Sequence, residues 1–165
     1  MNVPLPSTIW GRFGHGGGVA NPSALQRFVD AQDANGTYAA AVRELSAGRK
    51  TSHWMWFVFP QLRGLGRSPM AERYGIASRA EAVDYLAHDV LGPRLLRCAQ
   101  LVVASGATTA RELMGGELDA LKLQSSMTLF AEVAGAEQGG DFGAVLDKYF
   151  AAQRDPQTLR MLSSR

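Results

Sequence analysis

Cysteine is nearly missing from this chain: Cys98 stands alone. That excludes an internal disulfide framework and any zinc cage built from cysteines. Histidine is scarce as well, and the 3 present show neither HxxxH nor HExxH spacing, so no metal site is expected. No charge sign dominates. Lys and Arg number 17 against 15 Asp and Glu, a net charge of +2, too balanced for a strong nucleic-acid or membrane footprint. No apolar run approaches the ~18 residues of a membrane span. No charged-then-apolar leader is present, so the expected compartment is the cytoplasm. The GxGxxG and P-loop phosphate motifs, the GxSxG elbow and internal repeats are also missing, and no cofactor is expected.

What is present points to a globular domain. The chain has 165 residues, 46% hydrophobic and 19% charged, enough for one domain with a full core and far from disordered composition. Residues 1–22 stand apart, with Pro4, Pro6, Pro22 and the run Gly16-Gly17-Gly18. Apart from Trp10 and Phe13 they hold little apolar surface to offset the entropy of ordering, so they read as a flexible tail. Residues 23–165 then form a single helical domain.

The period from Ser23 onward is helical. Leu25, Phe28, Val29 and Gln32 share one face, as do Tyr38, Ala41, Val42 and Leu45, with Thr37 as the expected cap of the second helix. Ser68-Pro69, Ser78 with Glu81, Thr109 with Glu112, and Asp155-Pro156 are start signals. Asp89 is the expected cap of a long helix whose core stripe is Leu91, Leu95, Cys98 and Val102. Gly135, Gly139 and Gly140 interrupt the pattern, and a helix carrying Phe142, Val145 and Leu146 is expected from Asp141. No two alternating segments exist to pair as strands. The fold class is therefore all-α, with about eight or nine short helices around one core. The run Trp54-Met55-Trp56-Phe57-Val58-Phe59 is apolar on every side; a short buried helix capped by Ser52 and ending before Pro60 is favoured over a strand.

Two constellations could carry chemistry. In the first, Lys50, His53, Trp54, Gln61 and Arg63 surround the aromatic run, which suits a planar or anionic ligand. The plain alternative makes Trp56, Phe57 and Phe59 ordinary core. The second is Asp119, Lys122, Ser125 and Ser126. On a helix, Asp119, Lys122 and Ser126 fall within about 60° of one another, a carboxylate, an ammonium and a hydroxyl on one stripe. A solvated surface pair at i,i+3 is the plain alternative here. Cys98, on an apolar stripe, reads as a small buried hydrophobe, and His88 as a solvent-facing residue before a helix.

The string itself adds a resemblance. Glu44-Leu45-x-x-Gly48-x-Lys50-x-x-His53-Trp54-Met55-Trp56-Phe57-x-Phe59-Pro60-Gln61, with Gly64-Leu65-Gly66-x-Ser68 and Asp119-x-x-Lys122-Leu123-x-Ser125-Ser126-Met127-Thr128-Leu129-Phe130, resembles the family called domain of unknown function 1810. The resemblance spans about Leu25 to Leu162 and implies an all-α fold without implying an activity. Members often carry the label calpastatin, but calpastatin-type inhibitors resemble disordered polar repeats, and this chain is apolar and unrepeated. The helical N-glycosidases that act on ADP-ribose conjugates are similar in style only, with no motif that aligns.

The resulting expectation is a pocket for a small anionic or nucleotide-like ligand. His53 and Asp119 would move protons. Lys50, Trp54, Gln61, Arg63, Lys122, Ser125 and Ser126 would bind, with Trp54 stacked on a ring. Hydrolysis of an N-glycosidic bond in a nucleotide-like or ADP-ribose-like substrate is the reaction expected first. The alternative is a non-catalytic module that binds a protein or peptide through the same aromatic patch.

Overall fold

The computed structural model describes residues 22–164. Of the stretch read as a tail, residues 1–22, all but Pro22 lie outside them, and Pro22 opens the first helix. In chain order the helices are α1 (Pro22–Asp33), α2 (Thr37–Ser46), α3 (Met55–Val58), α4 (Pro69–Arg73), α5 (Arg79–Ala87), α6 (Leu91–Ala104), α7 (Ala110–Met114), α8 (Glu117–Val133), α9 (Ala136–Tyr149) and α10 (Pro156–Ser163). Among the described residues there is no strand; a single parallel bridge joins Leu62 to Ile76. The fold is all-α, and no helix among the described residues is long and apolar enough to cross a membrane.

Helix α8 is the axis. It packs against α9, α7, α5 and α10, while α6 packs against α9, α2 and α5. Residues Ser125 to Phe130 of α8 are all buried. A chain of aromatic contacts ties the outer helices to it: Phe28 meets Tyr85 edge-on at 5.1 Å, Tyr85 meets Phe130 at 5.4 Å, and Phe130 meets Phe142 at 5.9 Å. Such pairs add roughly 0.5–1.5 kcal/mol each beyond simple burial. Buried Gln32 fixes the end of α3 by donating to the Phe57 carbonyl at 2.8 Å. Cys98 is fully buried in this core, and burial pushes its thiol up to about 12, so it is no nucleophile.

Most start signals act as expected. Ser68, Ser78, Thr109 and Asp155 each accept from the backbone N–H three residues on. Four expectations need correction. Thr37 does not cap α2: left-handed Gly36 holds that position, and the Thr37 hydroxyl donates to the Ala34 carbonyl. Asp89 does not cap α6. The imidazole Nδ1 of His88 accepts from the N–H groups of Val90 and Leu91, which also removes His88 from the solvent-facing class. Ser52 does not cap α3, because its hydroxyl is taken by Glu44. Finally, α9 begins at Ala136 rather than at Asp141, running straight through Gly139 and Gly140. Burial of Phe142, Val145 and Leu146 outweighs a glycine cost of about 1 kcal/mol per residue.

Candidate functional site

The site is built from the loop between α2 and α3. Gly48, at φ 77°, turns the chain out of α2. The N–H of Lys50 donates to the Leu113 carbonyl at 2.7 Å. On the other side, Gly115 comes so close that a Cβ there would sit 2.9 Å from the Lys50 carbonyl oxygen. Gly115 also has φ 75°, so only glycine satisfies both demands. The Lys50 backbone is thus clamped between α7 and the start of α8.

Glu44 organises the rest of the loop. Its carboxylate accepts the N–H groups of Thr51 and Ser52, the Ser52 hydroxyl, and the Trp54 indole N–H at 3.2 Å. Burial alone would push this carboxyl up. The hydrogen bonds from Ser52, Thr51 and Trp54 outweigh that and lower it from 4.5 to about 2. The sign follows directly. Stability supplied by Glu44 is fully present above about pH 4.5 and is lost as the pH falls toward about 2. Glu44→Gln is therefore expected to be less stable than the parent at neutral pH, on the order of 1–2 kcal/mol for a part-exposed group. Urea titrations from pH 7 to pH 2.5 should show that gap closing; a gap independent of pH would mean Glu44 does not hold the loop through its charge.

Held this way, the loop carries Lys50 to Asp119. The Lys50 Nζ lies 2.9 Å from Asp119 Oδ2, and the Lys122 Nζ lies 3.4 Å from Asp119 Oδ1. Both ammonium groups also sit over indole rings: Lys50 at 5.2 Å from the centroid of Trp54, Lys122 at 5.1 Å from that of Trp56. Lys50 keeps only 7% side-chain exposure, whereas Asp119 keeps 24% and Lys122 26%. The result is one carboxylate shared by two ammonium groups on an indole floor, buried at the Lys50 end and open at the other.

The expected residues divide around this centre. Lys50, Trp54, Asp119 and Lys122 come together, although 69 positions of sequence separate Lys50 from Asp119. Gln61 lines a crevice of about 10 Å³ with Trp56 and Lys122, room for little more than one water. Trp54 is completely buried, so the expected stacking of a ligand on its ring has no open face; Trp56, read as core, is only partly buried and packs against the core's edge. His53 lies exposed on the loop, with no hydrogen bond among the described residues. Arg63 donates to the carbonyls of Glu72 and Gly75 and so braces the approach to α5. Ser125 bonds Leu121 and the α10 cap Asp155. Ser126, one turn beyond Lys122, is fully buried and its hydroxyl has no partner among the described residues.

Beside this centre runs an open groove of about 620 Å³, lined by Arg49, Thr109, Arg111, Glu112, Gly115 and Gly116 among others. One wall is Ala47, Gly48 and Arg49, the residues just before Lys50. Sequence reading missed this groove and Glu44 alike, since neither a loop-binding carboxylate nor a pair of arginines has a local spacing that announces it.

Comparison with known proteins places the chain. No curated protein matches it. The crystal structure of the conserved hypothetical protein Rv1873 from Mycobacterium tuberculosis is similar at 51% sequence identity, covering 87% of this chain and 99% of that one, with a TM-score of 0.81. The model of a family described as protein of unknown function (DUF1810) matches residues 22–162, and the chain belongs to that family.

Proposed function

We propose that the protein binds a small anionic, nucleotide-like ligand and hydrolyses it, with Asp119 as the central catalytic group. The observation that carries this reading is the Asp119 carboxylate held between Lys50 and Lys122 at the surface end of a buried charge. Taking Lys50 out of water costs several kcal/mol before its partner is counted, and an apolar side chain would fill that space at least as stably. Charges kept at such a cost are functional-site candidates.

In the proposed reaction, the glycosidic C–N bond breaks with its electron pair going to the base nitrogen. Water adds to the sugar carbon, and its proton passes by way of Asp119 to the leaving base. Lys122, the more exposed cation, contacts the ligand; Lys50 fixes the carboxylate. Trp56, unlike Trp54, keeps partial exposure and offers a ring contact, and Gln61 a polar contact beside it. His53, exposed on the loop that carries Lys50, is the second proton carrier in this reading. The rival reading, a module that docks a peptide through an aromatic patch, is less well supported. Trp54, Phe57 and Phe59 are buried, and among the described residues the exposed large apolar side chains are Val83, Leu118 and Leu121.

The experiment is a thermal-shift screen of nucleotides and ADP-ribose derivatives, followed by chromatography of the stabilising compounds for released base. A ligand at 100 times its Kd is expected to add about 2.7 kcal/mol. Release should fall at least about 100-fold in Asp119→Asn, assayed below that variant's own melting transition. A screen without a stabilising compound, or turnover that survives Asp119→Asn, overturns the reading.

A further inference from the structure

The groove beside the ion cluster has its own chemistry. Arg49 stands on the loop after α2 and Arg111 on α7, so two guanidinium groups reach the groove from different elements. Both residues are exposed, and neither side chain has a hydrogen-bond or ion-pair partner among the described residues. The carboxylate of Glu112, also in the lining, accepts the Thr108 N–H at 2.9 Å and keeps its charge, which the two guanidinium groups outnumber. Thr109 accepts from Glu112 N–H, leaving its hydroxyl proton to donate into the groove. The floor is open at Gly116, where a Cβ would meet nothing within 4 Å.

These features suit one kind of group. Guanidinium presents a planar fork that pairs with phosphate oxygens two at a time, and free forks from separate elements can hold two adjacent phosphates. A groove of about 620 Å³ is within the range that encloses nucleotide-sized molecules. We infer that the Arg49–Arg111 groove binds the phosphate or pyrophosphate end of the ligand. This inference rests on the nucleotide-like substrate proposed above and adds to it: the substrate is a phosphorylated one.

Anion binding can be measured without any catalysis. Isothermal titration with inorganic pyrophosphate, with adenosine 5′-diphosphate and with adenosine tests it on the full chain. Pyrophosphate and the diphosphate should bind and weaken with added salt, while adenosine alone binds at least about tenfold more weakly. Arg49→Gln and Arg111→Gln, both at exposed positions, should each melt near the parent and each weaken pyrophosphate about tenfold or more. No pyrophosphate binding, or binding that ignores either substitution, overturns the groove assignment. Turnover of an unphosphorylated glycoside with no pyrophosphate binding would sink this inference and spare the hydrolase reading. Pyrophosphate binding through both arginines without turnover of any compound would do the reverse.

Discussion

Trp54→Ala is expected to cost about 3–5 kcal/mol, the range for truncating a large side chain in a packed core. For a domain of this length that lowers the Tm by on the order of 10 °C. Trp54 is completely buried, contacts Phe59 at a ring separation of 6.0 Å, and lies under the Lys50 ammonium. Its loss removes more than apolar area. The indole N–H is one of the donors satisfying Glu44, so the carboxylate that organises residues 51–54 loses a partner at the same time. Trp56→Ala, at a partly buried position, should cost less. Chemical denaturation of both variants checks the order, and Trp54→Phe separates the terms by keeping a ring while losing the donor, at about 1–2 kcal/mol. A Trp54→Ala protein within about 1 kcal/mol of the parent would mean the ring is not a core element.

That contrast between two tryptophans two positions apart marks where sequence reading stops. The helices were legible because their signals are local: Ser68, Ser78, Thr109 and Asp155 reach backbone N–H groups only three residues away. The apolar period of Leu91, Leu95, Cys98 and Val102 likewise reports its own burial. In the run 54–59 every residue is apolar, so no period says which side chain faces inward. Caps by unusual donors were hidden as well, because an imidazole nitrogen reaching two N–H groups at His88 depends on a ring orientation. The helical start of α9 was masked by Gly139 and Gly140, whose weak propensity is overridden by packing that only the fold reveals. At the candidate site the residue types were legible and their meeting was not. Lys50 and Asp119 are joined by the close approach of Gly115 to the Lys50 carbonyl, and nothing in either local string encodes that distance.

The Lys50–Asp119 pair should respond asymmetrically to mutation, and the asymmetry separates function from packing. Asp119→Asn leaves the Lys50 ammonium with 7% exposure, no counter-charge, and a second ammonium at Lys122 nearby. Removing one partner of a buried pair is expected to cost about 3 kcal/mol or more. Lys50→Met leaves a different remainder. Asp119 keeps Lys122 and 24% of its side-chain exposure, so its charge stays partnered and partly hydrated. Methionine meanwhile fills nearly the same space against Trp54 with no charge to desolvate. Lys50→Met is therefore expected within about 1 kcal/mol of the parent, on either side. The double variant should recover most of the Asp119→Asn loss, a coupling above about 1 kcal/mol in the cycle. Urea denaturation of the four proteins at pH 7 measures this directly. Because Lys50→Met is expected to stay folded, it also carries the functional arm: base release should fall while nucleotides that stabilise the parent still stabilise the variant. If Lys50→Met and Asp119→Asn instead both unfold the protein as badly as Trp54→Ala, the two charges are a structural ion pair. The catalytic role proposed for Asp119 then has no basis.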